Sequence, residues 1–190
     1  MKYAKTGAAL TGILATFLVA ILNPAFAEAD QILTFTGLGP VRIGMTVAQA
    51  EAALGTTLSS IYPDMPKTCW SGRRVDGIDG AISYLIEDGK IVRIDINDSA
   101  WPKPERVVPS VSTEQGIRID SFTDDVKKAY GSRLIIKFHP QGDEGDENYL
   151  FMKVFSDDKK RGLLFEIWEG KIKSFHVGTT ETFDAEEPCD

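Results

Sequence analysis

The sequence predicts an α+β fold. It is built from two tandem pseudo-repeats, each a short helix packed on an antiparallel sheet of three to four strands. Three observations predict it. Pro40–Leu58 (PVRIGMTVAQAEAALGTTL) aligns without a gap on Gly116–Leu134 (GIRIDSFTDDVKKAYGSRL), with Arg42/Arg118, Ile43/Ile119, Ala53/Ala129, Gly55/Gly131 and Leu58/Leu134 identical. Further on, Ile82–Ile96 aligns on Leu163–Val177, sharing Ile86/Ile167, Gly89/Gly170, Lys90/Lys171 and Ile91/Ile172. Both matches occur in the same order, which is the signature of a duplicated structural unit. Thirdly, Asp88-Gly89 and Glu169-Gly170 each separate two β-rich runs, the short-range signal of a two-residue hairpin.

Residues 1–27 read as an export leader. Lys2 and Lys5 form a basic start, Ala8–Leu22 is apolar and uncharged, Asn23-Pro24 breaks the helix, and Ala25-Phe26-Ala27 fits a small-residue cleavage site. The apolar run falls short of the roughly 20 residues a spanning helix needs. No Cys follows it to carry a lipid, so the expectation is a chain starting at Glu28, periplasmic or secreted, with no membrane insertion after cleavage.

The first repeat is placed at 28–98. Ile32–Phe35 and Val41–Ile43 read as short strands around the turn Gly37-Leu38-Gly39-Pro40. Thr46 suits a helix N-cap, Gln49 completes a capping box, and Gly55 is placed to end the helix. Val47, Ala50 and Leu54 fall on one helical face. Thr68–Arg74 is a strand candidate, followed by the hairpin Ile82–Ile86/Ile91–Ile96. Residues 99–113 (SAWPKPERVVPSVST) carry Pro102, Pro104 and Pro109 and read as an extended connector, not a helix or a central strand. The second repeat is placed at 114–181. Ser121 or Thr123 caps its helix, Asp124 and Asp125 suit the positive end of the helix dipole, and Gly131 stops it. Leu134–Phe138, Tyr149–Phe155, Leu163–Trp168 and Lys171–Val177 read as strands. Residues 182–190 form an acidic tail.

Cys69 and Cys189 are the two cysteines. In an oxidising compartment an even pair is expected to be bridged, which ties the tail back to the first repeat. The chain carries 28 acidic against 21 basic side chains, a formal charge of −7, and removal of Lys2 and Lys5 widens that excess. This argues against nucleic acid or anionic lipid as partners and permits a basic protein.

The catalytic inventory is sparse. The two histidines are His139 and His176; His139 precedes a proline, and the string Phe175-His176-Val177 reads as a half-buried structural position. No nucleophile elbow, HExxH or paired-Cys metal motif is present. The acidic loop Gln141–Asn148 lacks the ligand spacing of an EF-hand and reads as a solvated tip. No metal and no cofactor is expected. Aromatic residues outside the core pattern mark the candidate contact surface: Trp70 beside Arg73 and Arg74, and Trp101 in the Pro-rich connector.

Val41-Arg42-Ile43-Gly44-Met45-Thr46, followed by a short helix ending at Leu54-Gly55, resembles the "GMT" helix start of two bacterial envelope families. One is the β-lactamase inhibitor protein group, with two tandem α/β repeats. The other is the outer-membrane assembly lipoprotein group called BamE or SmpA/OmlA, with one copy. The second repeat departs from the signature, with Asp120-Ser121-Phe122 where Gly44-Met45-Thr46 stand. The tandem layout favours the inhibitor-like group, and the resemblance implies fold more than function. The reading is an exported, non-enzymatic binding protein, a protein inhibitor among the possibilities, whose partner is another envelope or secreted protein. The alternative is an envelope-assembly or structural accessory, and a small hydrolase ranks third.

Overall fold

The computed structural model describes residues 31–64, 66–99, 106, 108–143, 145–184 and 189. The leader and Trp101 lie outside the described residues, as do most of the connector and 185–188 of the tail.

Among the described residues, twelve strands, two α-helices and one 3-10 turn follow one another as β1 (Gln31–Thr34), β2 (Gly37–Leu38), β3 (Val41–Arg42), α1 (Val47–Leu54), β4 (Leu58–Ser60), β5 (Cys69–Arg74), β6 (Ile82–Glu87), β7 (Lys90–Asn97), β8 (Val111–Thr113), α2 (Thr123–Tyr130), the 3-10 turn Gly131–Arg133, β9 (Ile135–Phe138), β10 (Leu150–Phe155), β11 (Arg161–Trp168) and β12 (Lys171–Thr179). β1, β2, β3 and β8 form a four-stranded sheet, and the others form one eight-stranded sheet in the order β4-β5-β6-β7-β12-β11-β10-β9.

This corrects the expected α+β class. Strand accounts for 45% and helix for 13% of the described residues, so the fold is mostly β and is not a pair of helix-on-sheet units. The physical reason lies at β7 and β12, which pair antiparallel with Ile94 opposite Val177 and Ile96 opposite Phe175. Two sheets ending there would each present an open edge of alternating apolar side chains, and edge-to-edge pairing removes both edges. The second reason is the small sheet. β8, inside the stretch read as a connector, runs parallel to β1 with Ser112 opposite Ile32, and all three of its residues are buried.

The local signals hold at both hairpins. Asp88 and Gly89 have φ of 47° and 74°, and Glu169 and Gly170 have 52° and 74°. Two consecutive positive φ values are what a tight turn matched to strand twist needs. Each helix entry is stitched to a hairpin by backbone hydrogen bonds. Gly44 N–H donates to Ile91 O at 2.7 Å, Ile91 N–H to Met45 O at 2.8 Å, and Val47 N–H to Gly89 O at 3.1 Å. The corresponding bonds in the second half are Asp120 N–H to Ile172 O at 3.0 Å, Ile172 N–H to Ser121 O at 2.9 Å, and Thr123 N–H to Gly170 O at 3.1 Å. Helix α1 starts on Thr46 with the capping box to Gln49 and stops at Gly55 in the left-handed region. Helix α2 differs from expectation. Its N-cap is Phe122, which has no side-chain acceptor, and only the reciprocal bond, Phe122 N–H to the Asp125 carboxylate at 2.9 Å, is made. Thr123 instead donates its hydroxyl to Gly170 O at 3.2 Å.

One face of the large sheet is apolar. Ile82, Tyr84, Ile94, Ile96, Met152, Phe165, Phe175 and Val177 form a single cluster there with Leu33 and Val41 of the small sheet, Ala50 of α1, and Val126 and Tyr130 of α2. The opposite face is polar and is crossed by the C-terminal segment. Phe183 is 2% exposed. Its seat is floored by two cross-strand glycines, Gly162 of β11 and Gly178 of β12. A Cβ on Gly162 would stand 2.5 Å from the Phe183 ring, and one on Gly178 3.2 Å from the Phe183 Cα. The Phe155 ring closes the side at 5.1 Å, edge-on. Cys69 and Cys189 are disulfide-bonded across 120 residues of sequence.

Two stability measurements check this account. The Cys69→Ser/Cys189→Ser variant is expected to lose about 2–5 kcal/mol in denaturant unfolding, the range for a long closed loop; an unchanged midpoint refutes the bridge as a stabiliser. Gly162→Ala, which forces Phe183 off its seat, is expected to cost about 1–3 kcal/mol; an unchanged unfolding midpoint overturns that account of the seat.

Candidate functional site

Alternation along the strands sends every second side chain to the polar face. The registers assemble these residues into three cross-strand rows. The first is Arg93, Gly178, Gly162 and Phe155; the second Asp95, His176, Leu164, Lys153 and Ile135; the third Asn97, Ser174, Glu166, Phe151 and Lys137. The first row is filled by Phe183. The second and third floor a groove of about 680 Å³, closed at one end by the segment His139–Gln141.

Arg93, 7% exposed, is the hinge between the groove and the C-terminal segment. Its Nε meets Asp95 Oδ1 at 2.8 Å, and its Nη1 donates to Thr182 O at 3.2 Å. The Thr182 hydroxyl returns a bond to Val92 O at 3.2 Å. His176 donates from Nε2 to Phe183 O, leaving Nδ1 3.6 Å from Asp95. Burial pushes the His176 pKa below the ordinary histidine range, opposed by the nearby Asp95 charge and reinforced by Arg93. Lys153, 4% exposed, is ion-paired with the Asp184 carboxylate, which itself stays about half exposed. A buried ammonium without a partner is costly, so Asp184 fixes where the segment crosses.

Glu166 is the centre of the third row. Its Oε1 accepts from Trp168 Nε1 at 2.7 Å and from His139 Nε2 at 3.2 Å, and its Oε2 accepts from Ser174 Oγ at 2.6 Å. His139 is buried at 6% exposure. Its Nδ1 accepts the Gln141 backbone N–H at 3.1 Å, which assigns the proton of the neutral ring to Nε2 and directs it at Glu166. The His139 ring lies 4.4 Å from Phe151 and 5.4 Å from Trp168, and Trp168 meets Tyr149 at 5.7 Å. A β-bulge between Glu166 and Ile167 shapes the strand at this point.

Of the residues singled out by sequence, Trp70, Arg73 and Arg74 lie outside this groove, and Trp101 is outside the described residues. Trp70 packs against the apolar cluster, over Gly72. Arg74 shares that face and forms a two-bonded pair with Asp76 at 2.8 and 3.1 Å. Arg73 points to the opposite face, is half-buried, and has its pKa lowered by that burial. Strand alternation therefore separates Arg73 from Trp70 and Arg74. Sequence weighed His139 only as a catalytic candidate, and Glu166, Ser174, Arg93 and Lys153 were not singled out. The signal for them is the polar phase of the β7, β10, β11 and β12 alternation, which reads equally well as a solvent-facing side. Among the described residues, no group of three His, Cys, Asp or Glu side chains is arranged to hold a metal, and no helix is long and apolar enough to cross a membrane.

No family model matches the chain, and no curated protein matches it significantly. Among solved structures, the chain is similar to the crystal structure of the uncharacterized protein yfeY from Escherichia coli, at 13% identity, covering 80% of this chain and 97% of that one, with a TM-score of 0.44.

The lowered His176 pKa sets a pH dependence. As pH falls through about 6.5, the unfolded chain takes up the proton before the folded one does. Stability is therefore fully present above that pH and declines as pH drops toward the folded-state value. Thermal melts between about pH 7.5 and 5 are expected to show a falling Tm, and His176→Gln is expected to flatten that slope. A slope unchanged in His176→Gln assigns it to other groups.

Proposed function

We propose that this chain is an exported, non-enzymatic binding protein of the periplasm, and that it binds through the polar groove of its eight-stranded sheet. The observation that carries the reading is the groove itself. It is a concave surface of about 680 Å³ whose charged floor is preorganised by part-buried hydrogen bonds. Side chains held in one geometry lose little freedom on binding, which favours recognition. The ring nitrogens support binding over catalysis. His139 is engaged by Gln141 and Glu166, and His176 by Phe183 O with Asp95 alongside. Neither faces a hydroxyl or thiol nucleophile as a catalytic base requires, Ser174 directs its proton to Glu166, and both cysteines are bridged. The bridge also supports an oxidising compartment.

The test is capture of partners from periplasmic and secreted proteins on the disulfide-bonded chain, with bound proteins identified by mass spectrometry. A stoichiometric partner is expected, retained by Trp70→Ala/Arg73→Ala and lost by Asn97→Trp, which fills the groove floor; Tm measurements verify that both variants fold. An empty capture, or a partner that Asn97→Trp still holds, sinks the groove as the binding surface.

A further inference from the structure

The groove holds three carboxylates, and they are not equivalent. Asp95 is paired with Arg93 and Asp184 with Lys153. Glu166 is held instead by an indole N–H, a hydroxyl and an imidazole N–H. Among the described residues, no Lys or Arg nitrogen comes within 4.0 Å of it; its ion-pair contact is His139, whose neutral form carries no charge. Lys137, on the rim strand β9, is exposed and makes no such contact either.

The donors that hold Glu166 fix its position without cancelling its charge. Two of its lone-pair directions on Oε1 and one on Oε2 are used, out of roughly four that a carboxylate offers, and the side chain is 27% exposed on the groove side. Two rings line the groove beside it, Phe151 in the same row and His139, which are 4.4 Å apart, and the Trp168 indole donates to it from outside the groove lining. Low-polarity walls strengthen a charge–charge contact relative to water, and aromatic faces attract cations. An ordered carboxylate with aromatic walls is complementary to a positively charged organic group. The net charge of −7 adds a long-range attraction for cations.

We propose that Glu166, with Phe151 beside it, forms a subsite for an ammonium or guanidinium group inserted into the groove. The subsite deepens the binding reading above and rests on it. A free amine and a basic side chain of a partner protein share this chemistry. The Glu166 charge meets the cation at Oε2, which accepts one bond, from Ser174, and the Phe151 ring covers its apolar stem.

The Trp168 indole N–H, which donates to Glu166, is a reporter at the site. In 1H–15N spectra of the disulfide-bonded protein, with the indole signal assigned through Trp168→Phe, N-acetyl-arginine amide is expected to shift that signal saturably. Uncharged N-acetyl-glutamine amide is expected to leave it in place. An oligo-arginine peptide that binds tighter assigns the cation to a basic partner chain; equal affinity for the two basic probes assigns it to a small free amine. Glu166→Gln is expected to weaken either probe by about tenfold or more. Absence of a shift with both basic probes overturns the subsite, as does full affinity in a folded Glu166→Gln variant. If Glu166→Gln does not fold, Phe151→Ala takes its place, since that half-exposed ring lies outside the apolar cluster; unchanged affinity there overturns the subsite equally. A partner captured through the groove while neither basic probe binds leaves the binding reading standing and removes this one.

Discussion

Where β7 and β12 meet, Ile94 stands beside Val177 and Ile96 beside Phe175, all fully buried. Everything else in the molecule is arranged around that seam. On one side of it the paired apolar residues give both helices and the small sheet a common surface to cover. On the other side the same registers place Asp95 opposite His176 and Asn97 opposite Ser174. Because successive strand residues face opposite ways, the contacts that join the two halves also build the middle of the groove. A one-residue slip at the seam would bury the polar row and expose the apolar one, so the register of the groove is enforced by the energetics of the core.

The pieces legible in the sequence are those whose cause is local. Thr46, Gln49 and Gly55 fix α1 within a few residues of themselves, and Asp88-Gly89 and Glu169-Gly170 fix two turns by backbone conformation alone. The bridge between Cys69 and Cys189 was legible for a different reason: an even pair left no other partner. The seam was not legible, since each of β7 and β12 already has a hairpin neighbour and nothing local in either strand names the second one. β8 escaped notice because Pro109 sits just before it, and three residues carry too little pattern to distinguish a short buried strand from an extended connector. At α2, Thr123 is a good capping residue by type, but the hairpin carbonyl of Gly170 takes its hydroxyl and moves the cap to Phe122.

The site was less legible than the fold. Trp70, Arg73 and Arg74 are neighbours in sequence, and the reading treated neighbours as a patch. In a strand, Trp70 and Arg74 share one face and Arg73 takes the other. The residues that do converge come from distant segments: Arg93 from β7, Lys153 from β10, Glu166 from β11, Ser174 and His176 from β12, and His139 from the loop after β9. Apart from His139, each is an ordinary polar residue at the outward phase of its strand. Only the sheet order makes them adjacent, so a site assembled by cross-strand register cannot be found before the seam is known.

The C-terminal segment explains why this polar face is a groove and not a flat solvated sheet. Gly162 and Gly178 remove two side chains from adjacent strands, and Phe183 fills the space they leave. That burial brings Thr182 O onto Arg93, Phe183 O onto His176, and Asp184 onto Lys153. One wall of the groove is thus set by sterics at two glycines and then secured by three polar contacts. Replacing an ion pair of this kind by apolar residues is often neutral or stabilising, so the Arg93–Asp95 and Lys153–Asp184 pairs are better read as fixing position than as adding stability. Their second effect is electrostatic. With those charges matched within the protein, Glu166 is the groove carboxylate held by neutral-type donors and not by a Lys or Arg. The seating of one phenylalanine on two glycines therefore sets one wall of the groove and the pairing of the charges along it.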